Sequence, residues 1–167
     1  MIDRKELVEL LPRLRRYARV LTRDVDRADD LTQDTVERAI AREHSFRDGE
    51  GLRAWLFSIM HNLHVDRLRA KDPIDWSLDA DELPEPASQP CGDPHTLRDM
   101  RAALASLPED YREALLLVAV EGLRYHEAAN ALGVPIGTIM SRLARGRERL
   151  GELLGERVPA FGAGVAR

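Results

Sequence analysis

The residues best equipped to act on a partner lie between 136 and 149. Arg142, Arg145, Arg147 and Arg149 face a single acid there, Glu148, a local charge of +3. The run before them, Tyr125 to Ile139, reads as a short helix ending at Gly133 and a new helix opening near Pro135 to Thr138. A glycine at the break lets the chain turn sharply through φ > 0. Small Ala129 allows the two helices to approach, and Ile139 packs back between them. This is the pattern of a helix-turn-helix, whose second helix enters the major groove of duplex DNA. Met140, Ser141, Ala144 and Arg145 are its first outward residues, with further arginines, Arg142 and Arg149 among them, available for phosphates. A purely structural helical hairpin is the competing reading, and the spacing favours DNA.

A second group sits earlier in the chain. His61, Asn62, Arg67 and Arg69 leave one helix beside Trp55 and near the Phe46-Arg47 loop. Rings next to cations suit single-stranded nucleic acid, where bases stack and the backbone needs positive charge. Taken alone, these residues read more simply as an aromatic core, Trp55 and Phe46, under a solvated face. Other chemistry has little to stand on. His61 with His64, or Cys91 with His95, falls short of the four ligands of a structural metal site. Nothing resembles a nucleotide-binding glycine loop, a nucleophile elbow or a pair of catalytic carboxylates. No metal, no cofactor, no small-molecule substrate and no enzymatic activity are expected.

The elements that must position these groups are helical. The 167 residues are 44% hydrophobic, 32% charged and only 5% aromatic, a composition that favours helix over sheet. Leu7, Leu11, Leu14, Ala18 and Leu21 step by 4, 3, 4 and 3, one face of an amphipathic helix, with Pro12 marking a kink or a boundary. A second helix is expected over about residues 26–43, with Ala28, Leu31, Thr35, Ala39 and Ile40 inward; its acidic start and basic end suit the helix dipole. A third, over about residues 52–70, buries Leu52, Trp55, Leu56, Ile59, Leu63 and Leu68. Further on, Leu97, Met100, Leu104 and Leu107 begin a helix that Pro108 ends. The next spans residues 109–121, turns Tyr111, Leu115, Val118 and Ala119 inward, and is capped by Gly122.

Charge divides the chain. Residues 1–70 hold 14 basic and 13 acidic side chains, residues 101–167 hold 9 and 8, and residues 71–100 hold 2 and 8. The net charge of −4 therefore belongs to the middle, which also carries five of the nine prolines. Such a stretch neither continues a helix nor packs. The expected architecture is all-α: a domain over 1–70, an acidic proline-rich linker over 71–96, a helix-turn-helix domain over 97–154 and a tail over 155–167. A lone Cys91 excludes a disulfide scaffold. The longest apolar run, residues 114–120, is seven long against the ~20 that cross a bilayer. With no secretion signal at the N-terminus, a cytoplasmic protein without membrane insertion is expected.

Both halves together resemble the extracytoplasmic-function (ECF) group of bacterial RNA polymerase sigma factors. Asp29-Asp30-Leu31-Thr32-Gln33-Asp34-Thr35-Val36 and the run from Arg53 to Leu63 are similar to the family's second conserved region. Leu107-Pro108 through Glu127-Ala128-Ala129, and Gly137 to Arg145, are similar to its fourth. The likeness spans about residues 5–70 and 97–154, and the third region of larger sigma factors is missing, as in the ECF group.

The resemblance implies a protein that binds core RNA polymerase, recognises −35 and −10 promoter elements, assists melting and directs initiation. It implies that Asp30, Leu31, Gln33, Asp34 and Arg38 dock on the polymerase clamp. It implies that the loop from Phe46 to Gly51, including Arg47 and Asp48, captures a flipped −10 base together with Asn62. Such capture offsets a few kcal/mol of unstacking. The −35 reader is implied to be the helix carrying Met140, Ser141, Arg142, Ala144, Arg145 and Arg149. Many relatives carry a basic residue at the Met140 position and a larger side chain at the Ala144 position. The acidic linker suits a path through the basic interior of polymerase, and family members are held inactive by anti-sigma factors. Two rival readings are a stand-alone helix-turn-helix repressor and a sigma mimic that titrates an anti-sigma factor.

Overall fold

A computed structural model describes residues 2–47, 51–70 and 94–155, all of whose regular structure is helical. The chain divides into two compact units: one takes the helices before residue 71 together with Asn130–Gly133, and the other takes the remaining helical residues from Pro94 onward.

The first unit packs α1 (Arg4–Thr22), α2 (Val25–Ala41) and α3 (Leu52–Ala70) against one another. Leu7, Leu14, Ala18 and Leu21 are buried as their spacing predicts, and Tyr17 joins them. The Tyr17 ring meets Phe57 of α3 edge-on, centroids 5.0 Å apart, a geometry aromatic quadrupoles prefer. Pro12 does not end α1; the helix runs through it. Pro12 and Val8 both lie on the exposed side, so water can serve the carbonyl of residue 8 that a proline nitrogen cannot.

Asp24 opens α2 by accepting the Arg27 amide at 2.8 Å, satisfying one of the donors every helix start leaves orphaned. Asp24→Ala is expected to cost about 1 kcal/mol, read as a lower urea midpoint for tryptophan fluorescence. On α2, Ala28, Leu31, Thr32, Thr35 and Ala39 are buried, and Thr32 and Thr35 donate their hydroxyls to the carbonyls of Ala28 and Leu31. Ile40, expected inside, is exposed. Seventeen residues of straight helix cannot keep every apolar position on one stripe, and Ala39 takes the inward place.

α3 departs further from expectation. Leu52, Leu56 and Ile59 are buried, but so are Phe57, Met60 and His64, while Trp55, Leu63 and Leu68 are half-buried. The helix contacts both α1 and α2, so its buried arc is wider than one stripe.

The second unit contains α4 (Pro94–Ser106), α5 (Glu109–Leu115), a π-turn (Leu116–Val120), most of α6 (Tyr125–Leu132) and α7 (Ile136–Leu154). α4 starts three residues before the expected boundary, on a proline, the residue best tolerated at a first helical position. The expected linker residues 71–93 and tail residues 156–167 lie outside the described residues.

After Leu115 the helix widens. The Glu121 amide donates to the Leu116 carbonyl and the Leu123 amide to that of Leu117, each at 2.9 Å. The wider turn shifts the phase, so Leu115 to Val118 are buried while Ala119 and Val120 are exposed, against the expectation for Ala119. Gly122 and Gly133 take φ of 69° and 63°, as their capping places require. Arg112 is buried and donates to the carbonyls of Ala105 and Leu107, serving acceptors that the end of α4 leaves over. α7 packs on α4 and α5 through Ile139, Leu143, Gly146 and Leu150.

Candidate nucleic-acid interface

In the second unit, the turn between α6 and α7 is closed by the Val134 amide donating to the Ala129 carbonyl at 3.0 Å. Ala129 and Ile139 are both buried, which sets the helix-turn-helix geometry expected of them. With Ile139, Leu143, Gly146 and Leu150 inward, α7 turns Met140, Ser141, Ala144 and Arg145 outward, and all four are exposed.

The four arginines, alike in the sequence, have separate circumstances. Arg142 is half-buried, and its guanidinium holds the Asp110 carboxylate of α5 at 2.8 Å. Arg149 is exposed and pairs with Glu152 at 2.8 Å, one turn further on. Arg147 is half-buried, with its Nε shielded from solvent. Arg145 is exposed and makes no side-chain hydrogen bond or ion pair among the described residues. Arg145 is thus the arginine whose charge is fully available for an incoming base or phosphate, whereas Arg142 ties α7 to α5. The Ser141 hydroxyl donates to the Thr138 carbonyl at 3.0 Å, so its remaining capacity is as an acceptor.

In the first unit, the outward side of α2 presents Asp30, Gln33 and Asp34 exposed and Arg38 half-buried. Gln33 donates to Glu37 at 2.9 Å, and Asp34 accepts from Arg67 of α3. Leu31 is fully buried. Its expected place on a docking surface is corrected: it anchors the helix from within, because α1 and α3 enclose the stripe it occupies.

At the start of α3, Phe46 packs on Trp55 with ring centroids 5.2 Å apart and planes tilted by 50°. Both rings are half-buried. Trp55 is therefore neither a core residue nor a free stacking ring; it supports the loop base from which Phe46 and Arg47 project. Asn62 is exposed seven residues beyond Trp55, on the same helix face and about 10 Å along the axis. Asp48 lies outside the described residues. Phe46 thus meets, at Trp55, the helix that carries Asn62 two turns further on.

Sequence reasoning missed the Asp110 and Arg67 partners. The one available signal was phase: an arginine one residue before inward Leu143 flanks the core and cannot point straight out. Among the described residues, no group of three or more His, Cys, Asp or Glu side chains could hold a metal ion. No described helix is long and apolar enough to cross a membrane.

Two family models match the chain: one described as the Sigma2 domain of PhyR, over residues 7–61, and one described as Sigma-70, region 4, over residues 97–150. The chain is similar to the ECF RNA polymerase sigma factor EcfG of Rhodopseudomonas palustris, 41% identical over 152 residues, covering 90% of this chain and 84% of that protein. Its fold is similar to that of the sigma factor RpoE from Bartonella quintana, solved in complex with the anti-sigma factor NepR. There the TM-score is 0.79 at 36% identity, over 92% of this chain and 97% of the other. CnrH, solved with the cytosolic domain of CnrY, matches with a TM-score of 0.64 at 25% identity, over 93% and 92% of the two chains.

Proposed function

The chain belongs to the ECF family of RNA polymerase sigma factors, and from that premise we propose that it binds core RNA polymerase, recognises −35 and −10 promoter elements and directs initiation under the control of an anti-sigma factor. The observation that carries this reading is the order of the two matched regions, with an exposed, partner-free Arg145 on the outward side of α7 in the second. The protein performs no catalysis of its own and works in the cytoplasm, beside the polymerase and the DNA. Its division into a domain over 1–70, a linker over 71–96, a domain over 97–154 and a tail follows the same reading.

Asp30, Gln33, Asp34 and Arg38 are the polymerase-facing residues on this account. Phe46, Arg47, Asp48 and Asn62 serve the melted −10 strand, with Trp55 as the support of Phe46. Met140, Ser141, Ala144 and Arg145 meet the −35 duplex, Arg149 reaches phosphate after yielding Glu152, and Arg142 acts through its hold on Asp110. A stand-alone repressor or a sigma mimic is not favoured, because the likeness to sigma factors extends over both units.

Reconstitution with core polymerase lacking any sigma tests the function. The protein is expected to join the enzyme and to start transcripts at discrete sites on genomic DNA. Failure of both removes the reading; duplex binding by the chain alone, without polymerase, would favour the repressor.

The Arg67–Asp34 pair gives a finer test. Both side chains are partly exposed, and such pairs contribute about 0–1 kcal/mol. Arg67→Ala is expected to leave unfolding almost unchanged and to raise affinity for core up to about fivefold, by freeing the Asp34 carboxylate. Reduced affinity in a core titration would show that Arg67 itself touches polymerase.

A further inference from the structure

α7 carries an apolar stripe beside its basic one. Ile136, Met140 and Ala144 stand at i, i+4 and i+8, the first two 49% and 54% exposed and the third also open to solvent. A soluble helix does not ordinarily leave successive turns of one stripe apolar and uncovered. Hydrogen-bonding capacity along this side is limited: Ser141 spends its proton on Thr138, and the donors without a side-chain partner among the described residues are those of exposed Arg145 and half-buried Arg147. Arg147 stands at i+7 from Met140 and Arg145 beside Ala144, while the stripe's next position, Glu148, is the one acid among them; the flanking charge is net positive, so the surface it complements is polyanionic.

On the major-groove edge of duplex DNA, the thymine C5-methyl is the apolar group, and apolar side chains read it by contact. We infer that Met140 and Ala144, with Ile136 at the helix start, determine −35 specificity by packing on thymine methyl groups. Arg145 supplies the polar contact beside them. This rests on the proposed sigma function and adds how the −35 reader of this particular chain discriminates. Met140 and Ala144 are one turn apart, about 6 Å along the helix, close to two base-pair steps of 3.4 Å each. The thymines they read therefore lie about two steps apart, on either strand.

The test uses the reconstituted holoenzyme and a promoter it selects from genomic DNA. Each thymine of the −35 segment is replaced in turn by deoxyuridine, which removes the methyl and leaves base pairing intact. At one or two positions, holoenzyme affinity is expected to fall about fourfold, the worth of one buried methyl-sized group. Met140→Ala, at an exposed position that folding does not need, is expected to abolish the thymine–deoxyuridine difference at one of those positions and leave the other intact. Equal binding of every deoxyuridine probe, with initiation preserved, overturns the inference while the sigma reading stands. A selected −35 segment without thymine on either strand overturns it as well. Failure to bind core at all is a separate observation that removes the sigma reading and this inference with it.

Discussion

Arg145→Ala is expected to weaken holoenzyme binding to the −35 duplex by about 1–3 kcal/mol if the side chain reaches a base, a five- to 150-fold loss, with core binding unchanged. The size follows from the state of the guanidinium. It is exposed and without a partner among the described residues, so no intramolecular bond must break before it meets DNA, and none is lost from the fold when it is removed. Arg142→Ala should behave differently. Its guanidinium is half-buried against Asp110, so its removal loosens the seat of α7 and Asp110→Ala should reproduce the effect. The measurement is a holoenzyme titration on matched and scrambled −35 duplexes at several salt concentrations. Loss confined to the matched duplex marks a base contact. A uniform loss with a salt slope shallower by about one marks a phosphate contact. Loss of core binding would mean that α7 faces polymerase and that the assignment of surfaces is wrong.

The second large effect is expected at Gly146, where no partner is involved. A Cβ there would stand 3.0 Å from Cδ1 and 3.3 Å from Cγ of Leu115, and 3.3 Å from Cβ of Tyr111. Leu115 is buried and cannot swing into solvent, so α7 and α5 would have to separate. Gly146→Val, which adds two methyls beyond that Cβ, is expected to destabilise the second unit by about 1–3 kcal/mol. Gly146→Ala should cost less, because the helix propensity gained over glycine, about 1 kcal/mol, offsets much of the clash. Amide exchange along α7 reads the result: opening of Leu143 and Leu150 should quicken by a factor of five or more in the valine variant. Promoter binding should fall in step while core binding through the first unit persists. Unchanged exchange would show that the α5–α7 contact is looser than these distances imply.

Much of this is legible in the amino-acid sequence. The period of Leu7, Leu14, Ala18 and Leu21 set the buried side of α1, and Gly122 and Gly133 marked turns that do take positive φ. Burial of Ile139 and Ala129 followed from the helix-turn-helix spacing. These succeed because each depends on residues a turn or two apart, where helical geometry leaves little choice. Expectation failed where geometry was locally altered or where a second neighbour widened the buried arc. The π-turn moved Ala119 outward, and contact of α3 with two helices buried Met60 and His64 beyond a single stripe.

By itself, then, the sequence determined an all-helical chain, the charge division that separates its two ends, and the motif residues that place it among sigma factors. Only tertiary structure decided which of those residues are available. Asp110 lies 32 positions from Arg142 and Arg67 lies 33 from Asp34, and no local period reports a partner that far along the chain. Folding brings α5 to α7 and α3 to α2 to bury their apolar sides. Those contacts commit Arg142, occupy Asp34 and enclose Leu31, and leave Arg145 and the Met140 stripe open to solvent.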